Sequence, residues 1–84
     1  MDKREPSAIY IDILANLMDG PKGPTRLAQA CNINYGRLAG FTDKMLERGL
    51  IRREAAGQQE VYAATEVGCE VYHKWSELRK DLPV

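Results

Sequence analysis

The side chains best suited to chemistry in this sequence are cations, and they are unevenly spread. Between Pro21 and Arg53 stand Lys22, Arg26, Arg37, Lys44, Arg48, Arg52 and Arg53 against Asp43 and Glu47 alone, a local charge of +5 in a chain whose formal net charge is zero. The remaining segments therefore carry −5. Ammonium and guanidinium groups gathered on one face neutralise phosphates, and an arginine fork also matches the guanine edge. A neutral total is compatible with this, because a partner feels the local field as well as the sum.

Other chemistry finds less support. Cys69 and His73 are four apart and would share a helical face, a spacing that can hold a metal, but only Cys31 is left to join them. The set is thin, and small buried cysteines are commonly core residues, so no metal is expected. The two cysteines are expected to be reduced thiols. The sequence has no Gly-rich phosphate loop, no Gly-x-Ser-x-Gly elbow and no evident base to activate a cysteine. Neither an enzyme nor a cofactor is expected. No apolar run approaches the ~20 residues of a membrane span. Met1-Asp2-Lys3-Arg4-Glu5 lacks the apolar core of a signal peptide, and the expected location is cytoplasmic.

The elements that must position the cations can be read from periodicity. Hydrophobic residues make up 44% and charged residues 29% of 84 positions, which suits one globular domain over 1–84. A first helix is predicted over 7–19, capped by Ser7, with Ile9, Tyr10, Ile11, Ile13, Leu14, Leu17 and Met18 covering an arc of about 200°, enough to pack on two sides. A short helix over 25–31 carries Leu27, Ala28 and Cys31 inward. Asn32-Ile33-Asn34 makes a turn, with Asn34 capping a helix over 34–48 whose inner face is Leu38, Phe41, Thr42, Met45 and Leu46. Gly49 stops that helix. A hairpin follows over 50–64, with strands at 50–54 and 60–64 and a turn at Gly57-Gln58-Gln59. Thr65 caps a last helix over 65–82. The fold class is mainly α with a small β-hairpin (α+β).

Helix, short helix, turn, helix, hairpin and helix is the winged helix-turn-helix order. The strings Thr25-Arg26-Leu27-Ala28, Leu46-Glu47-Arg48-Gly49-Leu50-Ile51 and Tyr62-Ala63-Ala64-Thr65-Glu66-Val67-Gly68 resemble that family. With Asn32-Ile33-Asn34-Tyr35 and a single terminal helix, the chain is similar to an archaeal DNA-binding group. That group includes the Sulfolobus ten-a type chromatin proteins and related transcriptional regulators. It departs from their pattern in a short last helix and in Lys44, which stands where an apolar residue is favoured. The resemblance implies binding of double-stranded DNA, with the 34–48 helix in the major groove and a dimer through the last helix.

On that reading, Gly36, Arg37, Gly40, Asp43, Lys44 and Glu47 form the outward stripe of the reading helix. Arg37 and Lys44 reach bases or phosphates, and Asn34 and Tyr35 sit at the helix start, where phosphate is favoured. Thr25 and Arg26 hold the backbone from the preceding helix. Arg52 and Arg53 point to opposite faces of a strand, so only one faces DNA. Gln58 marks an uncharged wing tip. Gly36 and Gly40 either leave the stripe bare for close approach or mark a tolerant surface. Val71, Trp75, Leu78 and Leu82, with Val67, lie within an arc of about 80° on the last helix, and a homodimer through them is expected. The alternative function is a winged helix used as a protein–protein interaction module, favoured by neutral charge and the bare stripe.

Overall fold

The computed structural model describes residues 4–80. Among them α1 spans Pro6–Leu17, α2 Pro24–Cys31, α3 Tyr35–Glu47, β1 Ile51–Ala56, β2 Gln59–Ala64 and α4 Glu66–Lys80. The order is the expected one, and several ends move for local reasons. α1 starts at Pro6, not at Ser7. Glu5 is its N-cap with no side-chain cap bond, because a proline at the first helical position has no N–H to satisfy and a φ already helical. Pro24 starts α2 in the same way, behind the N-cap Gly23 and one residue before Thr25. α1 closes at Leu17 rather than 19, where the Met18 N–H donates to the Leu14 carbonyl at 3.0 Å. Asn34 lies just outside α3 and caps it, its Oδ1 accepting the Arg37 N–H at 2.8 Å.

α2 and α3 end in the same way. The Ile33 N–H donates to Ala28 and the Asn32 N–H to Gln29; one helix later the Leu50 N–H donates to Met45 and the Gly49 N–H to Leu46. Each pair of bonds reverses the chain around a residue in the left-handed region, Asn32 at φ 56° and Gly49 at φ 73°. Glycine adopts that region freely and asparagine tolerates it. This is why two helices separated by only three residues can change direction.

β1 and β2 pair antiparallel from Ile51↔Ala64 to Ala56↔Gln59. The loop is therefore the two residues Gly57 and Gln58, and both strands are longer than predicted. Gln59 leaves the turn and joins the ladder, since Gly57 at φ 65° supplies the left-handed first position that a tight hairpin turn needs. One pairing was not anticipated. Lys22 and Tyr62 exchange backbone bonds of 3.0 and 2.8 Å, so the α1–α2 connector forms a short third edge on the sheet. The predicted end of the last helix at 82 lies outside the described residues.

Ile9, Ile13, Leu14, Leu27, Leu38, Met45 and Ile51 are fully buried. The broad apolar arc of α1 is used within the chain. Ile9, Ile11, Ile13, Leu14 and Leu17 are all buried, and α1 packs on α2, α3, β2 and α4. Tyr10 meets Phe41 edge-on with centroids 5.0 Å apart. Thr42 is buried among apolar side chains, and its hydroxyl is satisfied by the Leu38 and Ala39 carbonyls at 3.2 Å each.

The hairpin and the last helix meet at a closely packed junction. The Thr65 hydroxyl donates to the Gly49 carbonyl at 2.5 Å and accepts the Gly68 N–H at 3.0 Å. The Thr65 N–H donates to the Leu50 carbonyl at 3.1 Å. A Cβ on Gly68 would overlap that same Leu50 carbonyl, which is backbone and cannot swing away, and would press on Leu14. Gly68→Ala is accordingly expected to destabilise the fold by about 1–3 kcal/mol. Urea denaturation checks this, and an unchanged midpoint would mean that α4 can lift off Leu50 freely.

Candidate nucleic-acid interface

α3 buries Leu38, Thr42 and Met45 and leaves Gly36, Arg37, Gly40, Asp43, Lys44 and Glu47 exposed. The inner face is fixed by the core, so the outer stripe is presented rigidly. Phe41 and Leu46, expected inside, are half-buried at the edges of the helix. Thr25, Arg26, Asn34, Tyr35, Arg52, Arg53 and Gln58 are exposed as well.

These residues fall into groups that the sequence did not distinguish. Thr25, Asn34 and Tyr35 line one depression of about 430 Å³ where α2 faces the start of α3, and Tyr35 is 59% exposed there. Arg26 shares a second hollow with Glu60 of β2. Along the α1 side of α3, the Arg37 guanidinium lies 5.8 Å from the Phe41 ring centroid, a cation–π distance. Further along, Lys44, Glu47 and Arg48 rim a groove of about 650 Å³ whose floor includes Tyr10, Ile11, Leu14, Met45, Val71 and Trp75. Arg48, the C-cap of α3, was not singled out as a site residue, although the charge count already contained it.

The two strand arginines part as alternation requires. Arg53 extends toward α3, with Nη2 3.9 Å from Asp43 Oδ1. Arg52 goes to the other face, where Nε donates to Glu54 at 2.8 Å and Nη1 to the Ala64 carbonyl at 3.4 Å. Of the pair, Arg53 is the one beside the outward stripe. Such exposed ion pairs are worth about 0–1 kcal/mol, weak enough for a stronger anion to displace them.

The α4 residues differ in exposure. Leu78 is 61% and Val71 38% exposed. Trp75 is half-buried, packed on the core with Arg79 over its ring at 5.3 Å. Its large ring is partly satisfied within the chain. Leu82 lies outside the described residues.

Cys31 is buried and Cys69 half-buried, both as free thiols. Burial, then the nearby Asp12, pushes the Cys31 thiol above its ordinary value, which disfavours the reactive thiolate. Among the described residues, no group of His, Cys, Asp and Glu could hold a metal, and no helix is long and apolar enough to cross a membrane.

A core-braced helix reached through a tight turn and flanked by a hairpin defines the class of helix-turn-helix proteins that carry a wing. Residues 3–82 match the winged helix-turn-helix family, and the chain belongs to it. Among solved structures it is similar to Sso10a-2, a DNA-binding protein from Sulfolobus solfataricus, at 25% identity over 92% of this chain and 80% of the other, with a TM-score of 0.78. It shares its fold with the transcriptional regulator BldR from the same organism, at 22% identity over 87% of this chain and 55% of that one, with a TM-score of 0.79. The oxidised form of MarR from E. coli gives 16% identity, 88% and 55% coverage and a TM-score of 0.83. The chain spans about half the length of these two regulators. No curated protein sequence matches it. The resemblance seen in the sequence strings is therefore met at the level of family and fold.

The glycines of the stripe can be weighed directly. A Cβ on Gly40 would meet nothing within 4 Å, and one on Gly36 only the Asn34 side chain at 3.5 Å. Neither glycine is required by packing or by φ. Gly40→Ala should therefore stabilise the free protein by about 0.5–1 kcal/mol in urea denaturation, through helix propensity alone. A destabilised variant would reveal a packing role for this face.

Proposed function

We propose that this protein binds double-stranded DNA as a transcriptional regulator or chromatin-associated protein, with α3 in the major groove. The observation that carries this reading is the outer stripe of α3, rigidly presented and flanked by exposed cations from α2, the α3 terminus and β1. The winged helix-turn-helix family and the likeness to a DNA-binding Sulfolobus protein support it. Arg37, near the helix start, reads a base edge. Lys44, two turns on, meets phosphate where the helix leaves the groove. Asn34, Tyr35, Thr25 and Arg26 hold backbone at the front of the motif, and Arg53 reaches phosphate from the wing. Arg52 and Gln58 contribute less, the first turned to the far face and the second uncharged. Gly36 and Gly40 let the duplex approach closely. A cytoplasmic, nucleoid-associated role without catalysis follows from this reading.

Fluorescence anisotropy with duplex DNA at two salt concentrations tests it. Wild-type affinity should fall steeply with salt. Arg37→Ala should cost about 1–3 kcal/mol on a preferred duplex and flatten the preference at one base position. Lys44→Ala should weaken all duplexes alike and lower the salt slope by about one unit. Full affinity in the double variant would show that α3 is not the reader. The interaction-module reading would then lead, with the Gly36–Gly40 face as its surface.

We also propose a homodimer through α4, in which Val71, Trp75 and Leu78, continued by Leu82, meet their counterparts. The supporting observation is Leu78 and Val71, exposed in line on α4 along the edge of its contact with α1. Leu78→Glu should sediment as a folded monomer where wild type sediments as a dimer. A wild type that is monomeric at high micromolar concentration overturns the interface.

A further inference from the structure

A polar contact far from α3 bears on how α3 is held. Arg4 sits before α1, on the side of the molecule where α1 and α2 meet. Its Nη1 donates to Asp12 Oδ2 at 2.7 Å, and its Nη2 donates to the Cys31 carbonyl at 2.7 Å and more distantly to the Asn32 carbonyl at 3.4 Å. The side chain is about two-thirds buried, at 30% exposure. One planar guanidinium thus joins the middle of α1 to the last residues of α2, across 27 positions of sequence.

The receiving end is the more informative one. The last carbonyls of a helix lack intrahelical partners and carry the negative end of its dipole. At the end of α2, the turn bonds take up Ala28 and Gln29. The Cys31 carbonyl comes after them, and Arg4 supplies its donor together with a full positive charge. The next residue, Asn32, stands at φ 56°, a conformation that asparagine tolerates at a higher cost than glycine. The matching stop at the end of α3 has glycine, and its carbonyl is held by the Thr65 hydroxyl, far from Arg4.

We infer that Arg4 is a positioning residue, a two-armed latch that holds the α2–α3 turn against α1 and so fixes the angle at which α3 is presented. Asp12 anchors the guanidinium to α1, and the Cys31 and Asn32 carbonyls are what it holds. Asn16 closes the same seam from the next turn of α1, donating to the Asp12 carbonyl at 2.9 Å and to the Cys31 sulfur at 3.6 Å. The latch itself is independent of what α3 binds. Its effect on duplex affinity rests on the proposed function.

Amide hydrogen exchange followed by NMR on the 84-residue chain tests the latch, with the twin turn as internal control. In Arg4→Ala, the Asn32 and Ile33 amides should exchange about ten-fold faster or more, the factor expected when a charge-assisted hydrogen bond is lost. The Gly49 and Leu50 amides should keep their wild-type rates. Equal acceleration at both turns, or none at either, overturns the latch. Arg4→Lys keeps the charge but not the planar fork, and its turn amides should stay closer to Arg4→Ala than to wild type. It carries the test if Arg4→Ala does not fold, and full protection in Arg4→Lys would overturn the two-armed geometry. Duplex affinity, measured in parallel, should fall about five-fold or more in Arg4→Ala with no change in salt slope, because no phosphate contact is removed. An unchanged affinity in a duplex-binding protein overturns the positioning role. A wild type that binds no duplex defeats the proposed function instead, and the exchange rates still decide the latch.

Discussion

The Leu50 carbonyl is the point on which this fold closes. It accepts the Thr65 N–H, and a Cβ on Gly68 would run into it. The residue before it is held by the Thr65 hydroxyl, and its own N–H closes the end of α3. The exit of α3, the start of β1, the end of β2 and the start of α4 thus meet within a few bonds. The two Thr65 bonds are local in space but bridge the length of the hairpin in sequence. The hairpin can therefore form only in the register that lets Thr65 reach Gly49, and α4 can dock only where Gly68 leaves room. The Gly-Leu-Ile and Tyr-x-x-Thr-x-x-Gly strings are the trace of this junction in the sequence.

That explains why so much of the architecture was legible. Helix periodicity, Asn34 as a cap, Gly49 as a stop and Thr65 as a start are rules about neighbouring residues, and each holds in the structure. Prolines at the first turns of α1 and α2 moved their starts by one residue, because each follows an N-cap, Glu5 or Gly23, that makes no side-chain cap bond. What could not be read were polar contacts between distant positions. The Lys22–Tyr62 pairing needs the hairpin to be folded against the connector before either residue has a partner. The Arg4 contacts need α1 and α2 already packed. Arg53 and Asp43 could not be paired before the wing was placed beside α3.

The same contacts temper the charge argument. The +5 segment is real in the sequence, but part of it is spent internally. Lys22 donates to the Asn16 carbonyl, Arg52 is bound by Glu54, and Arg53 leans toward Asp43. Along α3, Arg37 and Lys44 stand two turns apart with Gly40 and Asp43 between them, and Arg48 follows one turn later. A face built this way has a modest field and little side-chain bulk, so shape and backbone approach weigh more in it than a dense code of base contacts.

The two-residue hairpin loop divides the labour of the wing unusually cleanly. Gly57 alone carries the conformational demand, through its positive φ. Gln58 beside it is exposed, as are Ala55, Ala56, Gln59 and Glu60 around it. Nothing in the core depends on what these side chains are. The tip is thus a blank margin, where the polarity, length or charge of the wing can be rewritten one residue at a time without disturbing the junction that folds the protein. Descendants of this chain could acquire new partners there while keeping an old scaffold.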